Sequence, residues 1–158
     1  MKRSDLFFNI AIPVLFVGIV TLVVYKFIIK EQNPGLFAVK ELSNISVVDL
    51  NNNKLALTDL LDKENETYCF LFELTNCYSC ILEGLEDLKK IRKAGSFCIA
   101  IVVHDLIEEV QGWSNTQDFS PFFMIKKIDF YRNIQSSTMP VLFSLKGGEV
   151  KRFRFITP

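Results

Sequence analysis

A chain of 158 residues with 49% hydrophobic content has enough apolar surface for one domain with an ordinary core. Eighteen basic residues balance eighteen acidic ones, so no overall field points to nucleic acid as a partner. Four cysteines, Cys69, Cys77, Cys80 and Cys98, are too few for a miniprotein held by disulfides.

The clearest global signal comes first. Leu6 to Tyr25, "LFFNIAIPVLFVGIVTLVVY", carries no charge, with Lys2 and Arg3 before it and Lys26 and Lys30 after it. Twenty helical residues span roughly 30 Å, the thickness of a bilayer's hydrocarbon core. A cleaved signal peptide has a shorter apolar stretch and ends in a small-x-small site, for which Leu36 and Ala38 are a poor match. The expectation is an uncleaved transmembrane anchor over 6–29, a cytoplasmic N-terminus over 1–5 and a linker over 30–43. Residues 44–158 then form the folded domain. The basic residues flanking the apolar run nearly balance, so charge alone leaves the orientation open.

Beyond the linker, Ile45–Leu50 and Lys54–Leu57 read as strands of a hairpin around Asn51-Asn52-Asn53, and Thr58 as the cap of a short helical turn. Tyr68–Leu74, "YCFLFEL", is a nearly unbroken apolar run of strand length, as for a strand buried on both faces. Helical spacing follows from Cys80 to Lys93, with Ile81, Leu85, Leu88 and Ile91 sharing a face. Phe97–Val103, "FCIAIVV", is a second buried strand, and strand-helix-strand predicts a parallel unit. Asp105 is expected to cap a helix carrying Leu106, Val110 and Trp113; Phe122–Ile125 reads as a strand and Asp129–Gln135 as a helical turn. "PVLFSLKGGEVKRFRF" predicts two strands about a Gly-Gly turn. In that last strand Lys151, Arg152 and Arg154 alternate with Phe153 and Phe155, the pattern of a charged edge strand with its phenylalanines on the core. Together these elements make an α/β sandwich on a mixed sheet.

That order puts Cys77 at the start of a helix directly after a central strand. Unpaired amides and the positive helix end favour thiolate there, and thiolate is the nucleophile of disulfide exchange. Cys80 lies one turn on, where it can close a disulfide with Cys77 or resolve a mixed disulfide. Far along the chain, Thr138-Met139-Pro140-Val141 opens the terminal hairpin. A cis Met139-Pro140 bond would leave backbone groups of Met139 free to pair with an extended substrate segment.

"YCFLFELTNCYSCILEGLEDLKKI", "FCIAIVV" and "TMPVLFSLKGGEV" resemble the catalytic strand-helix, central strand and cis-proline hairpin of thioredoxin-fold proteins. "ISVVDLNNNKLALTDLL" is similar to the extra N-terminal hairpin of membrane-anchored, TlpA-like thiol-disulfide oxidoreductases. The resemblance covers roughly residues 45 to 155 and implies a thioredoxin-like sandwich with a mixed central sheet, preceded by one transmembrane helix. It implies that Cys77 attacks, Cys80 resolves, Pro140 is the cis proline, and Glu83 moves protons to or from Cys80. Tyr78, Met139 and Pro140 are the expected substrate contacts. No cofactor is implied beyond a redox-active Cys77-Cys80 disulfide, and the partners implied are protein thiol or disulfide substrates with an upstream membrane thiol-disulfide donor. Such a domain on an anchor fits the extracytoplasmic side, where disulfides are managed. The resemblance favours reduction of partner cysteines, as in cytochrome c maturation.

The chain also departs from the pattern. Asn76 replaces the usual tryptophan before the first cysteine, Tyr78-Ser79 replaces a Gly-Pro type of insert, and Leu71 stands where thioredoxin keeps a buried acid. The family's C-terminal helix has no counterpart after Phe155, so a partner or the membrane surface could cover part of the sheet. Two alternatives stay open: metal transfer, with Cys77, Cys80 and His104 holding a copper ion, and a tethered interaction domain without catalysis. A peroxidase fits worse, because no proline-threonine arrangement precedes Cys77. Cys69 and Cys98 are expected to be free, buried thiols.

Overall fold

The computed structural model describes residues 37–39, 42–62, 64–136 and 138–157. The expected anchor over 6–29 and the N-terminal residues 1–5 lie outside these. Among the described residues, no helix is long and apolar enough to cross a membrane.

Among the described residues are nine strands and three α-helices: β1 (Phe37–Val39), β2 (Ser46–Asp49), β3 (Lys54–Ala56), β4 (Thr67–Glu73), α1 (Tyr78–Lys93), β5 (Phe97–Val103), α2 (Ile107–Ser114), β6 (Phe122–Ile125), α3 (Lys127–Asn133), β7 (Ile134–Ser136), β8 (Val141–Lys146) and β9 (Glu149–Phe155). Seven strands form one mixed sheet in the order β3-β2-β6-β5-β4-β8-β9. β4, β5 and β6 run parallel, while β2-β3, β2-β6, β4-β8 and β8-β9 are antiparallel.

The central strands are apolar on both faces, and their period of two divides the core. Cys69 and Leu71 of β4 join Ile99, Ile101 and Val103 of β5 on one face, with Phe130 of α3 and Phe143 of β8. Phe70 and Phe72 join Cys98, Ala100 and Val102 on the other, under Ile81, Leu85 and Leu88 of α1 and Val110 of α2. The helical face read from the sequence of α1 is therefore the face that packs. Near β8 and β9 this second side carries an open groove of about 210 Å³, lined in part by Tyr68, Leu142, Ser144, Arg152 and Arg154.

The terminal hairpin turns at Gly147 and Gly148, with φ of 59° and 82°. Two successive positive φ values suit a type I′ turn, whose twist matches the flanking strands, and glycine meets them without a Cβ clash. β9 ends the sheet, and Phe153 and Phe155 pack against the first core face while Arg152 and Arg154 are exposed.

Some expectations need correction. Phe37–Val39, inside the segment expected as a linker, is a strand paired antiparallel with β7. Phe37 anchors it, buried with its ring centroid 4.7 Å from that of Phe143. Residues Leu57–Leu60 form a single 3₁₀ turn that begins after Ala56 without a side-chain cap, so Thr58 is not a cap. Asp105 does not cap α2; its carboxylate accepts the amide of Lys127 at 3.1 Å and so serves the start of α3, across the sheet edge. The helical turn expected over Asp129–Gln135 begins at Lys127 and ends at Asn133, because Ile134 leaves it to pair with Val39. Among the described residues two X-Pro bonds are cis, Met139-Pro140 as expected and Ser120-Pro121, which the sequence did not signal.

Candidate active site

β4 delivers the chain to the carboxyl edge of the sheet, and a tight turn converts strand to helix. The Asn76 amide donates to the Glu73 carbonyl at 3.0 Å, and the Asn76 side-chain oxygen accepts the Glu73 amide at 2.7 Å. Asn76 thus closes the turn from both ends, which gives a physical role to the residue that departs from the usual tryptophan. Cys77 follows as the N-cap residue of α1, and its carbonyl accepts the first intrahelical bond, from Ile81 at 3.0 Å.

Cys77 is exposed, Cys80 is buried at 2% exposure, and both are free thiols. The Cys77 thiol is drawn down to about 7, first by the Cys80 thiol donating to its sulfur, then by the Ser79 hydroxyl and the amides of the first turn. The Ser79 oxygen lies 3.0 Å from the Cys77 sulfur. Cys80 moves the opposite way: donating to Cys77 raises its own thiol, and burial and the negative charge of Glu83 add to this. Two thiols whose acidities are pushed apart are suited to different tasks, one to attack as thiolate and the other to hold its proton until it resolves.

The remaining expected residues fall around this pair. Tyr78 opens α1 and is 60% exposed. Glu83 is exposed one turn beyond Cys80 and acts on it only through its charge. Val141 pairs with Leu71, so Met139 and Pro140, just before it, run beside the carboxyl end of β4, where the Cys77 turn begins. The Pro140 carbonyl accepts the Ile156 amide at 2.9 Å, and Met139 lies before the first residue paired in β8. His104 stays in its own loop, where its Nδ1 accepts the Leu106 amide at 3.1 Å and its Nε2 lies 3.2 Å from Glu109. Among the described residues no three histidine, cysteine or acidic side chains are grouped to hold a metal ion, so Cys77, Cys80 and His104 are not brought together. Cys69 and Cys98 are free and fully buried, and burial raises both thiols. Cys98 pairs with Tyr68 rather than Cys69, which sends the two sulfurs to opposite faces of the sheet.

Ser79 was missed. Its signal was a serine in the first turn after Cys77, the expected helix start, where hydroxyls commonly meet unpaired groups. Replacing Ser79 by alanine should raise the pH at which Cys77 ionises above about 7, since one of the hydrogen bonds that favour its thiolate is lost. The rate of alkylation by iodoacetamide as a function of pH measures this directly, and an unmoved midpoint would assign the low value to Cys80 and the helix end alone.

No protein-family model and no curated protein matches this chain. Solved structures do. A thioredoxin-like protein from Porphyromonas gingivalis superposes with a TM-score of 0.55 at 16% identity, covering 75% of this chain and 82% of that one. The fold is thioredoxin-like. A thiol:disulfide interchange protein from Bacteroides sp. matches the thioredoxin-like domain with a TM-score of 0.55 at 14% identity, over 73% of this chain and 80% of that one. Peroxiredoxin Q from Xanthomonas campestris matches at 0.53 and 14% identity, over 74% and 83%. Such identities speak for the fold alone, so function rests on the site.

Proposed function

We propose that this chain is a thiol-disulfide oxidoreductase, anchored by residues 6–29 and presenting its thioredoxin-like domain outside the cytoplasm. The observation that carries the proposal is the Cys77-Cys80 pair itself: an exposed, acidified thiol at a helix start, backed by a buried thiol of higher pKa. The neighbour named as a thiol:disulfide interchange protein supports it, and the uncharged run Leu6–Tyr25 supports the anchor.

The chemistry follows from the two acidities. The Cys77 thiolate attacks one sulfur of a substrate disulfide; that S–S bond breaks, and the departing sulfur leaves as thiolate and takes up a proton. Cys77 is then joined to the substrate as a mixed disulfide. Cys80 gives up its proton, with Glu83 one turn away as the acceptor in this scheme, and attacks the Cys77 sulfur. The second substrate thiol leaves, the substrate has gained two electrons, and Cys77-Cys80 is a disulfide. A membrane dithiol donor upstream restores the thiols. Met139, Pro140 and Tyr78 flank the attacking sulfur and hold the substrate segment.

Two measurements test this together. The full chain in detergent, reduced beforehand, should reduce the disulfides of insulin, and the activity should rise with pH as Cys77 ionises near 7. A membrane-impermeant maleimide added to intact cells should label Cys77. Labelling that requires permeabilised cells would put the domain on the cytoplasmic side, and reduced chain that leaves insulin untouched would remove the exchange activity.

A further inference from the structure

An acidic residue is out of place at the end of a strand buried on both faces, because a carboxylate taken out of water is costly unless its oxygens are hydrogen-bonded. Glu73 is that residue: it closes β4, is half-buried, and pairs with Val103 of β5. By the period of two it shares the face of the sheet with Cys69 and Leu71, the face on which α3 seats Phe130.

The polar groups of Glu73 are all engaged. Its amide donates to the Asn76 side-chain oxygen at 2.7 Å, and its carbonyl accepts the Asn76 amide at 3.0 Å. One carboxylate oxygen accepts the Thr75 hydroxyl at 3.1 Å, and the other accepts the Tyr131 hydroxyl at 3.3 Å. Thr75 and Asn76 are the two residues before Cys77, whereas Tyr131 lies 58 positions beyond Glu73. Tyr131 belongs to α3, which Phe130 fixes in the core, and the two rings meet edge-on at 5.0 Å. Thr75, Cys77, Tyr78 and Ser79 are exposed, so little packing holds this stretch of chain. The carboxylate does what packing does not: it ties the turn to a helix that the core holds.

We infer that Glu73 is a positioning residue of the exchange centre: held by Thr75 and Tyr131, its carboxylate fixes the turn that sets Cys77 at the head of α1. This rests on the exchange activity proposed above, and it acts before a substrate arrives, through Cys77 alone. The Cys80 thiol, the Ser79 hydroxyl and the amides of the first turn converge on the Cys77 sulfur. Hydrogen bonds weaken steeply as distance and angle leave the favoured range, so slack in the turn loosens all of these together. The charge of Glu73 works the other way, since a negative neighbour disfavours a thiolate. Position and charge therefore predict opposite signs when the carboxylate is neutralised.

The test is the alkylation of Cys77 by iodoacetamide as a function of pH, read by mass at that residue in the reduced full chain in detergent. Urea midpoints are taken alongside, so that ionisation is read in folded chains. Glu73→Gln keeps the size of the side chain but offers one acceptor oxygen to two hydroxyl donors. Tyr131→Phe keeps the Glu73 charge and removes only the tie to α3. Both should move the alkylation midpoint up from about 7 and slow the reaction at pH 7 by about threefold, the worth of one ordinary hydrogen bond. Because the two variants break one link, Glu73→Gln combined with Tyr131→Phe should shift the midpoint no further than Glu73→Gln alone. A midpoint that falls in Glu73→Gln would overturn positioning in favour of charge. One unmoved in Tyr131→Phe would remove the link to α3 on which positioning depends. Insulin reduction by the native chain reads the exchange activity separately: insulin left untouched, while the variants still shift the midpoint, removes that activity and upholds the hold of Glu73 on Cys77.

Discussion

Cys77→Ser is expected to stop the proposed disulfide exchange, lowering its rate more than about a thousandfold, because a serine hydroxyl cannot supply the nucleophile that a thiol of pKa about 7 supplies at neutral pH. Cys80→Ser has a different expected outcome. Cys77 still attacks, but the buried thiol that would release the substrate is gone, and a mixed disulfide accumulates. On gels run without reductant, the Cys80→Ser chain should migrate with a covalently attached substrate that dithiothreitol removes, and the double variant should carry none. The pH dependence has a definite sign. Cys77 ionises at a lower pH in the fold than the 9.0 of a free cysteine, so thiolate is favoured by the native structure. That contribution to stability is fully present above about pH 9 and is lost as the pH falls through about 7. Reactivity at Cys77 follows the same thiolate population and rises to a plateau above pH 7. Equal loss of first attack in the Cys77 and Cys80 variants would contradict the separate tasks assigned to them.

The second large effect is on the scaffold under the site. Gly84, on the buried face of α1, meets the ring of Phe70: a Cβ built there would lie 2.1 Å from the nearest ring carbon. Phe70 is fully buried and stacked on Phe72 at 5.0 Å, so it has little room to retreat. Alanine would gain about 1 kcal/mol in helix propensity, but crowding of this severity costs about 3 kcal/mol or more. Gly84→Ala is therefore expected to lose about 2 kcal/mol, read as a lower urea midpoint at unchanged slope. Phe70→Leu in the same chain should return part of the loss, since it opens the space the new methyl needs. A Gly84→Ala chain as stable as the native one would mean that α1 sits farther from β4 than the structure places it.

The parts of the fold visible in the sequence are those whose signal is local. β4 and β5 are seven-residue strands built on apolar runs, Tyr68–Phe72 and Phe97–Val103, because both faces are covered, and α1 shows its packing face through Ile81, Leu85 and Leu88. The terminal turn is marked by two adjacent glycines at positive φ. What escaped depends on pairing across long separations. β1 and β7 are three residues each, and neither has a pattern of its own apart from the other. Ile134 suited the end of a helix as well as a strand, and only Val39 opposite it decides. Asp105 has the character of a cap, but the amide it serves is twenty-two residues away. At the site, the two cysteines and the cis Met139-Pro140 bond were legible from motif and spacing. The functions of Asn76 and Ser79 were not, because each depends on which neighbouring group its side-chain oxygen meets.

The most direct test of the central claim is a redox titration of the full chain in detergent against graded thiol/disulfide buffers, with free thiols counted by alkylation and mass. The account predicts one transition in which two thiols, those of Cys77 and Cys80, disappear together, while Cys69 and Cys98 stay reduced; Cys77→Ser abolishes that transition. A midpoint near about −270 mV, like that of thioredoxin, would agree with the proposed direction, and one near about −120 mV would reverse it. If Cys77 and Cys80 form no disulfide at any poise, the pair is not a redox couple, and the proposed oxidoreductase is contradicted.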